Sequence, residues 1–294
     1  MIKVVDAGRA IPLGPSMEQL TPSAVSAVSP ASGPEKLALC APHPDDEAIG
    51  GSLALRLLRE SGASVTSIAV TLGRDKGQQE RRLREVQSAC HALGFKFLLA
   101  HPPSGLDDVT QSSRLERPAE WRTQVNALRE IFDSEQPDAV MMPHVDDFNT
   151  THVGTHWLAL DALGEHLEQS GRGPVLLIET EFWHEMENPN LMVGLAPELV
   201  AAQLVGIGEH GDEMRRNPYH LLHPCRLMDN VRRGSEVVGG QGAAARDFAF
   251  AEIYNLALMK GRERLAAPPG GCIIDPNEKF SLARLKSQFW PQGV

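Results

Sequence analysis

Several features that would assign this chain to a broad class of proteins are missing from its sequence. The four cysteines are widely scattered and form no Cys-x-x-Cys pair, so we expect reduced and mostly buried thiols rather than a disulfide framework. No apolar run is long enough to span a bilayer, and the N-terminus lacks the basic-then-apolar pattern of a signal peptide. These absences favour a soluble cytoplasmic enzyme.

The sequence also lacks any run rich in lysine and arginine. Its net charge is −10 and its isoelectric point is near 5.6, which argues against a nucleic-acid or anionic-membrane surface as a partner. Hydrophobic residues make up 42% of the 294 residues, enough for a sizeable core. We therefore expect the partner to be a small-molecule substrate.

Short apolar strand-like runs alternate with helical runs over residues 36–181. This alternation predicts a doubly wound, Rossmann-like α/β core with a mostly parallel sheet and helices on both faces. Residues 1–35 are rich in proline and predict an N-terminal arm. Residues 182–294 predict a mainly helical C-terminal portion packed on the core of a single catalytic domain, with helices near 197–217, 221–234 and 245–260. This portion is expected to cover the sheet or to supply contacts in a homo-oligomer.

The densest group of chemical side chains lies in residues 41–47, between the first strand and a helical run. The carboxyl end of a parallel strand is where open α/β sheets bind ligands. Two prolines hold the turn extended, so His43 and Asp46 can reach one divalent ion while Asp45 stays free to act as a base. The alternative is that the acids simply cap the helix and complement its dipole.

A second group of polar residues follows the fourth predicted strand. His144, Asn149, His152 and His156 all lie in this segment. If the fourth strand is near the first, both groups line one crevice, and one of these histidines completes a three-ligand metal site with an open position for water. His152 and His156 are four residues apart, so either is a candidate third ligand.

The sequence Pro-His-Pro-Asp-Asp-Glu followed by Gly-Gly, at residues 42–51, resembles the opening motif of the LmbE-like, or PIG-L, family of zinc-dependent N-deacetylases. Residues 143–152 are similar to a second family motif, Pro-His-Pro-x-Asp-x-His-x-x-His. Members of this family act on N-acetylglucosamine groups linked to inositol, malate, phosphatidylinositol or antibiotic aglycones. The resemblance covers roughly residues 36–181 and implies Zn²⁺ as the cofactor.

The resemblance also implies roles for individual residues. His43, Asp46 and His152 match the zinc ligands, and Asp45 matches the general base. Arg82 matches an arginine that faces the substrate pocket, although a solvated helix charge paired with a neighbouring glutamate explains it equally well.

Three further positions are predicted with alternatives. Asp147 is grouped with Arg82 on the substrate side of the site, but it could instead orient a site histidine or form a turn. Asn149 stands where the family has a histidine that contacts the substrate carbonyl, and Thr151 stands where an aspartate is common. Asn149 can donate to an oxyanion but cannot supply a proton, so His144, His156 or protonated Asp45 must act as the acid.

The resulting hypothesis is metal-assisted hydrolysis that removes an acetyl or other acyl group from the amide nitrogen of an N-acetylated sugar or sugar conjugate. Zinc, together with Asn149 or His144, would stabilise the oxyanion. The alternative is a zinc-dependent hydratase or lyase acting on a small dicarboxylate, which would need several cations to hold its substrate. Four histidines outside the motifs are predicted to have surface or packing roles rather than to bind metal: His184, His210, His220 and His223.

Overall fold

The computed structural model describes residues 33–292. The part of the chain up to residue 181 contributes five strands, β1 to β5 in chain order: Lys36–Ala41, Ser64–Ala69, Lys96–Leu99, Ala139–Pro143 and Val175–Thr180. Six helices accompany them, α1 to α6: Asp46–Ile49, Ser52–Ser61, Gln79–Leu93, Gln111–Glu116, Pro118–Glu135 and Thr150–Ser170.

The later part of the chain adds four helices and four strands. The helices α7 to α10 are Pro197–Gly208, Gly211–Arg216, Tyr219–Val237 and Leu282–Phe289. The strands β6 to β9 are Leu191–Leu195, Phe250–Lys260, Glu263–Ala266 and Cys272–Ile274. None of the helices within the described range is long and apolar enough to cross a membrane.

The strands form one sheet in the order β3-β2-β1-β4-β5-β7-β6-β9, and β8 pairs with β7. The first five strands are parallel to one another, whereas β7 runs antiparallel to both β5 and β6. Strand β1 lies between β2 and β4, so the chain reverses its direction of winding between β1 and β4. At such a switch point a crevice opens beyond the carboxyl ends of the two strands.

Both faces of the sheet are covered by helices. Successive residues of β1 show this, since Leu37 and Leu39 join one apolar cluster while Ala38 and Cys40 join another. The first cluster includes the apolar faces of α2, α3 and α7, and the second those of α5 and α6. The prediction of a mostly parallel α/β sheet with helices on both faces is confirmed.

The helix predicted over residues 245–260 is wrong, because residues 250–260 form strand β7. This strand lies inside the sheet, and its side chains are buried on both faces: Tyr254 and Leu256 contact one cluster, and Ala257 the other. A strand buried on both faces has no polar alternation, so periodicity alone cannot separate it from a buried helix. The arm predicted over residues 1–35 lies almost entirely outside the described residues.

Candidate active site

The turn after β1 has an unusual backbone at Asp45. This residue has a φ of 121°, a backbone conformation that costs energy for any residue other than glycine. Its N–H donates to Glu47 Oε2 at 3.0 Å, and its carbonyl oxygen accepts from the N–H groups of Ala48 and Ile49. These contacts fix the turn that presents Asp45 and Asp46 next to each other at the end of the strand.

Glu47 is in turn held by a histidine from the later part of the chain. His210 Nε2 donates to Glu47 Oε1 at 2.7 Å, and both side chains are almost completely buried. Burial by itself lowers the pKa of His210, but the charge and hydrogen bond of Glu47 raise it overall. His210 therefore has a packing role with a specific polar partner, and it supports the Asp45 turn from 163 residues away.

The glycines after the turn allow the chain to pack closely. A Cβ atom at Gly51 would lie only 2.2 Å from the carbonyl oxygen of Glu47. Because no real Cβ atom fits at that distance, a side chain at this position would displace the turn. This explains in physical terms why the acidic motif is followed by Gly-Gly.

The structure brings His43, Asp46 and His152 together at the switch point. Asp46 Oδ2 lies 3.2 Å from His43 Nδ1 and 3.3 Å from His152 Nε2, and one ligand atom from each residue falls within 4.8 Å of the others. His152 is completely buried, yet neither ring nitrogen has a hydrogen-bond partner among the described residues. A buried imidazole without a hydrogen-bond partner, next to a carboxylate and a second imidazole, is a suitable site for a divalent metal ion. The ion would give the unpaired ring nitrogen its missing partner.

The charges of this group support one another. Burial alone raises the pKa of the Asp46 carboxyl, but His152 and His43 lower it overall. Burial alone lowers the pKa of His152, whereas Asp46 and Asp147 raise it to about 10. The two carboxylates therefore favour a positive charge at His152, which a divalent cation would supply in place of the proton.

Asp147 lies behind His152 rather than in a cavity. Its Oδ2 is 3.5 Å from His152 Nδ1 and accepts from the Trp183 N–H at 3.1 Å, and its Oδ1 accepts from the Asn149 N–H at 2.8 Å. Burial raises the pKa of Asp147, but the contact with His152 lowers it overall. Asp147 lines neither of the two described cavities, and its carboxylate instead faces the Nδ1 side of the His152 ring.

Asn149 caps helix α6 and, together with His43 and Asp45, lines a large cavity at the ends of the strands. Its Oδ1 accepts from the Thr151 N–H at 2.9 Å. Since the carbonyl oxygen is used by the cap, the amide nitrogen is the end of the side chain that remains to donate.

His144 and His156 are not part of this group. They line a second cavity of about 680 Å³, His144 with Nε2 2.9 Å from the His184 carbonyl oxygen and His156 with Nδ1 3.0 Å from the Pro143 carbonyl oxygen. Burial lowers the pKa of His156. The structure therefore separates two histidines four residues apart on α6: His152 faces the carboxylates, whereas His156 faces the second cavity.

The first cavity has a volume of about 1040 Å³ and opens onto Asp45 and the His-Asp-His group. Arg82 lines it, with Nη2 3.2 Å from the Pro44 carbonyl oxygen and 3.9 Å from Glu213 Oε1. Its neighbours Arg81 and Arg84, not Arg82, pair with the nearby glutamates of α3. A Cβ at Gly73 would lie 2.2 Å from Arg82 Nη1, so a side chain there would displace the guanidinium from its present position.

Burial raises the pKa of Asp45 well above its usual range, and the charges of Asp46 and Glu47 add to this, while Arg82 acts in the opposite direction. A carboxylate of raised basicity beside a candidate metal group is a suitable proton acceptor.

The far wall of this cavity contains no recognisable sequence motif. It is formed by residues from the later part of the chain: Phe182, Trp183, Glu213, Arg216, Tyr219, Leu222, His223 and Arg226. Only the spacing of Tyr219, Leu222, His223 and Arg226, three to four residues apart on α9, could have indicated a shared face.

Comparisons with known proteins agree with this geometry. Residues 38–163 match the family model described as PIG-L: GlcNAc-PI de-N-acetylase. The matched segment contains both short segments that form the His-Asp-His group. Among curated protein sequences no match was found.

Several solved structures share the fold. The conserved protein TT1542 from Thermus thermophilus is 21% identical, with a TM-score of 0.54 over 74% of this chain and 92% of its own. The 4-carboxy-2-hydroxymuconate hydratase GalB from Pseudomonas putida is 15% identical, with a TM-score of 0.56 over 76% and 95%. The N,N'-diacetylchitobiose deacetylase from Pyrococcus horikoshii is 17% identical, with a TM-score of 0.54 over 77% and 84%. At these identities the likeness concerns the fold.

Proposed function

We propose that this chain, whose residues 38–163 match the PIG-L family model, is a zinc-dependent deacetylase that removes an acetyl or other acyl group from the amide nitrogen of an N-acetylated sugar or sugar conjugate. One observation carries the proposal: His43, Asp46 and His152 come together in the wall of a large cavity that Asp45 also lines. This is the set of groups that amide hydrolysis by activated water requires.

His43, Asp46 and His152 would hold the ion. When bound, Zn²⁺ would supply a Lewis acid that lowers the pKa of water towards neutrality and polarises the amide carbonyl. Asp147 would keep the imidazole of His152 in place through its contact with Nδ1.

Asp45 would accept the proton of the attacking water. Burial and the charges of Asp46 and Glu47 raise the pKa of Asp45, so its carboxylate is a stronger base than that of a solvent-exposed aspartate. As the new C–O bond forms, the carbonyl oxygen gains negative charge, and the amide nitrogen of Asn149 would donate to it. When the C–N bond breaks, protonated Asp45 would return its proton to the leaving amine, so the products are the free amine and the carboxylic acid.

The position of Asp45 favours it as the acid that protonates the leaving amine. His144 and His156 were candidates for that step, but both line the second cavity. Of the three candidates, Asp45 alone lines the cavity that contains the His-Asp-His group.

The alternative function, hydration of a small dicarboxylate, would need free cations in the cavity. Five cationic side chains do line it: Arg74, Lys76, Arg82, Arg216 and Arg226. Four of these already have partners, Lys76 with Asp107, Arg82 and Arg216 with Glu213, and Arg226 with the Glu181 carbonyl oxygen. A cavity of this size, in which Lys76 is paired with Asp107 while Arg82 and Arg216 share Glu213, favours a substrate larger than a small dicarboxylate.

The test is release of free amine and acetate from N-acetylated sugars by the zinc-loaded protein. We expect equal amounts of both products and no activity after the metal has been removed by a chelator. Addition of water to an unsaturated dicarboxylate, without acetate release from any N-acetylated sugar, would instead support the hydratase.

A further inference from the structure

Large apolar side chains are concentrated at the first cavity. Among the described residues six such side chains are exposed, and three of them line this cavity: Phe148, Trp183 and Leu222, with exposed fractions of 74%, 57% and 51%. We call these three residues the apolar rim. Exposed apolar groups that cluster at the edge of a polar site are typical of a ligand-binding surface, because water there is readily displaced.

The apolar rim is attached to the same scaffold as the candidate metal group. The Trp183 N–H donates to Asp147 Oδ2, the carboxylate oxygen that also lies 3.5 Å from His152 Nδ1. Phe148 directly follows Asp147, and its ring is 4.5 Å from the ring of His184. A group bound against Phe148 and Trp183 would therefore have a fixed position relative to an amide held at His152.

Helix α9 supplies the third residue of the apolar rim. Leu222 projects into the cavity from the same helix as Tyr219 and Arg226. The apolar rim thus combines side chains from two loops that follow sheet strands with one from the later helix, so it exists only in the folded chain.

The size of the cavity indicates a ligand larger than one sugar. Its volume of about 1040 Å³ is at the upper end of the roughly 300–1,000 Å³ of pockets that enclose small molecules. A monosaccharide placed at the His-Asp-His group would leave the outer part of the cavity empty. The exposed side chains of Phe148, Trp183 and Leu222 favour an apolar group in this outer part.

We propose, on the basis of the proposed deacetylase function, that the apolar rim is the binding site for an apolar aglycone carried by the N-acetylated sugar. The acetamido group would lie at the His-Asp-His group, and the aglycone would contact Phe148, Trp183 and Leu222. The apolar rim then selects amphiphilic glycosides over free or purely polar sugars.

The test compares phenyl and methyl N-acetyl-β-D-glucosaminides, which differ only in the aglycone. We expect kcat/KM for free-amine release to be about tenfold higher for the phenyl glycoside, within the range that an apolar pocket contact provides. In Trp183→Ala and in Phe148→Ala this ratio should fall towards one. Both side chains are mostly exposed, so the variants should fold, and thermal unfolding would verify that they do.

The matched control is Leu115→Ala, since Leu115 is 70% exposed on α4 and lines neither cavity. It should keep the parental ratio. Equal kcat/KM for the two glycosides in the parent, or the same fall in ratio for Leu115→Ala as for Trp183→Ala, would overturn the proposal.

A binding measurement separates this inference from the proposed function. If neither glycoside releases amine, the deacetylase assignment fails for these substrates, and calorimetric titration then decides about the apolar rim. Tighter binding of the phenyl glycoside to the parent, lost in Trp183→Ala, supports the site. Absence of any preference for the phenyl glycoside in that titration refutes it.

Discussion

Residues 36–181 and residues 182–292 contribute to the same cavity in different ways. The first region supplies all three members of the His-Asp-His group, two from the turn after β1 and one from the start of α6, which follows β4. The second supplies the buried support of Glu47 by His210 and a wall that includes Tyr219 and Arg226. The candidate reactive groups thus come from two short segments of the sequence. The residues that support them and line the rest of the cavity are spread along the later part of the chain.

The two regions thus contain two kinds of residue, those that react and those that support. Changes in the two short segments of the first region should remove the metal or the chemistry. Changes in the second region should affect stability and the choice of substrate while the basic chemistry persists. Four experiments test the distinction, in order of decreasing expected effect.

The largest effect is expected for His152→Ala. This change removes one of three ligands, so metal content should fall from about one ion per chain to near zero, together with activity. The measurement is elemental analysis of purified protein after dialysis. His156→Ala is the matched control one turn further along α6 and should keep its metal, because His156 faces the second cavity. Loss of metal in His156→Ala but not in His152→Ala would contradict the ligand assignment.

Asp45→Asn should separate the base from the ligands. Asparagine tolerates positive φ, so the turn should keep its shape, but the amide cannot accept a proton. We expect near-parental zinc content and turnover reduced by about 10²- to 10⁴-fold. Asp46→Asn should behave differently, with weakened metal binding, since an amide is a poorer zinc ligand than a carboxylate. Near-parental turnover in Asp45→Asn would show that another group acts as the base.

A smaller effect is expected for Asp147→Ala. It removes the carboxylate next to His152 Nδ1, and loss of such a partner lowers metal affinity by about 10- to 100-fold. Competition with a chelator of known affinity measures this. Asp146→Ala, at the exposed neighbouring position, is the control and should bind metal as the parent does. If both variants keep parental affinity, Asp147 has only a turn-forming role.

The smallest effect on the chemistry is expected for His210→Ala, which tests the contribution of the second region. The change leaves Glu47 Oε1 buried without its donor, at a cost of about 1–3 kcal/mol in the free energy of unfolding. Metal content should remain, and kcat should fall less than in Asp45→Asn. Denaturant unfolding and kinetics measure the two effects.

Two further variants interpret the His210 result. His210→Gln retains a donor of similar reach and should recover part of the lost stability, while His91→Ala, on the exposed side of α3, should change nothing. A His210→Ala protein as stable as the parent would mean that the Asp45 turn needs no support from the second region.

Much of the candidate site could be predicted from the sequence because it depends on short-range order. His43, Asp45 and Asp46 belong to one turn whose prolines and following glycines restrict its backbone, and the strand before it places that turn at the edge of the sheet. His152 could be named as a ligand only through the resemblance to a second motif, since spacing alone left His156 as an equal candidate.

Other features were decided by tertiary structure. The strand β7 was predicted as a helix because a segment buried on both faces has no periodic polar pattern. The role of His156 depended on which way the start of α6 faces, the role of His144 on the path of the loop before that helix, and the role of His210 on the packing of α7 against the turn. None of these choices is encoded within a few neighbouring residues.

The sequence by itself therefore determined the chemical groups, their order and the type of sheet that carries them, since these follow from local backbone restrictions and from the burial pattern of the first five strands. Only the tertiary structure decided that His144 and His156 line a second cavity, what supports Glu47, and which apolar side chains surround the first cavity. The physical reason is that these contacts join residues more than a hundred positions apart, as His210 and Glu47 do, and depend on how buried surfaces pack in three dimensions.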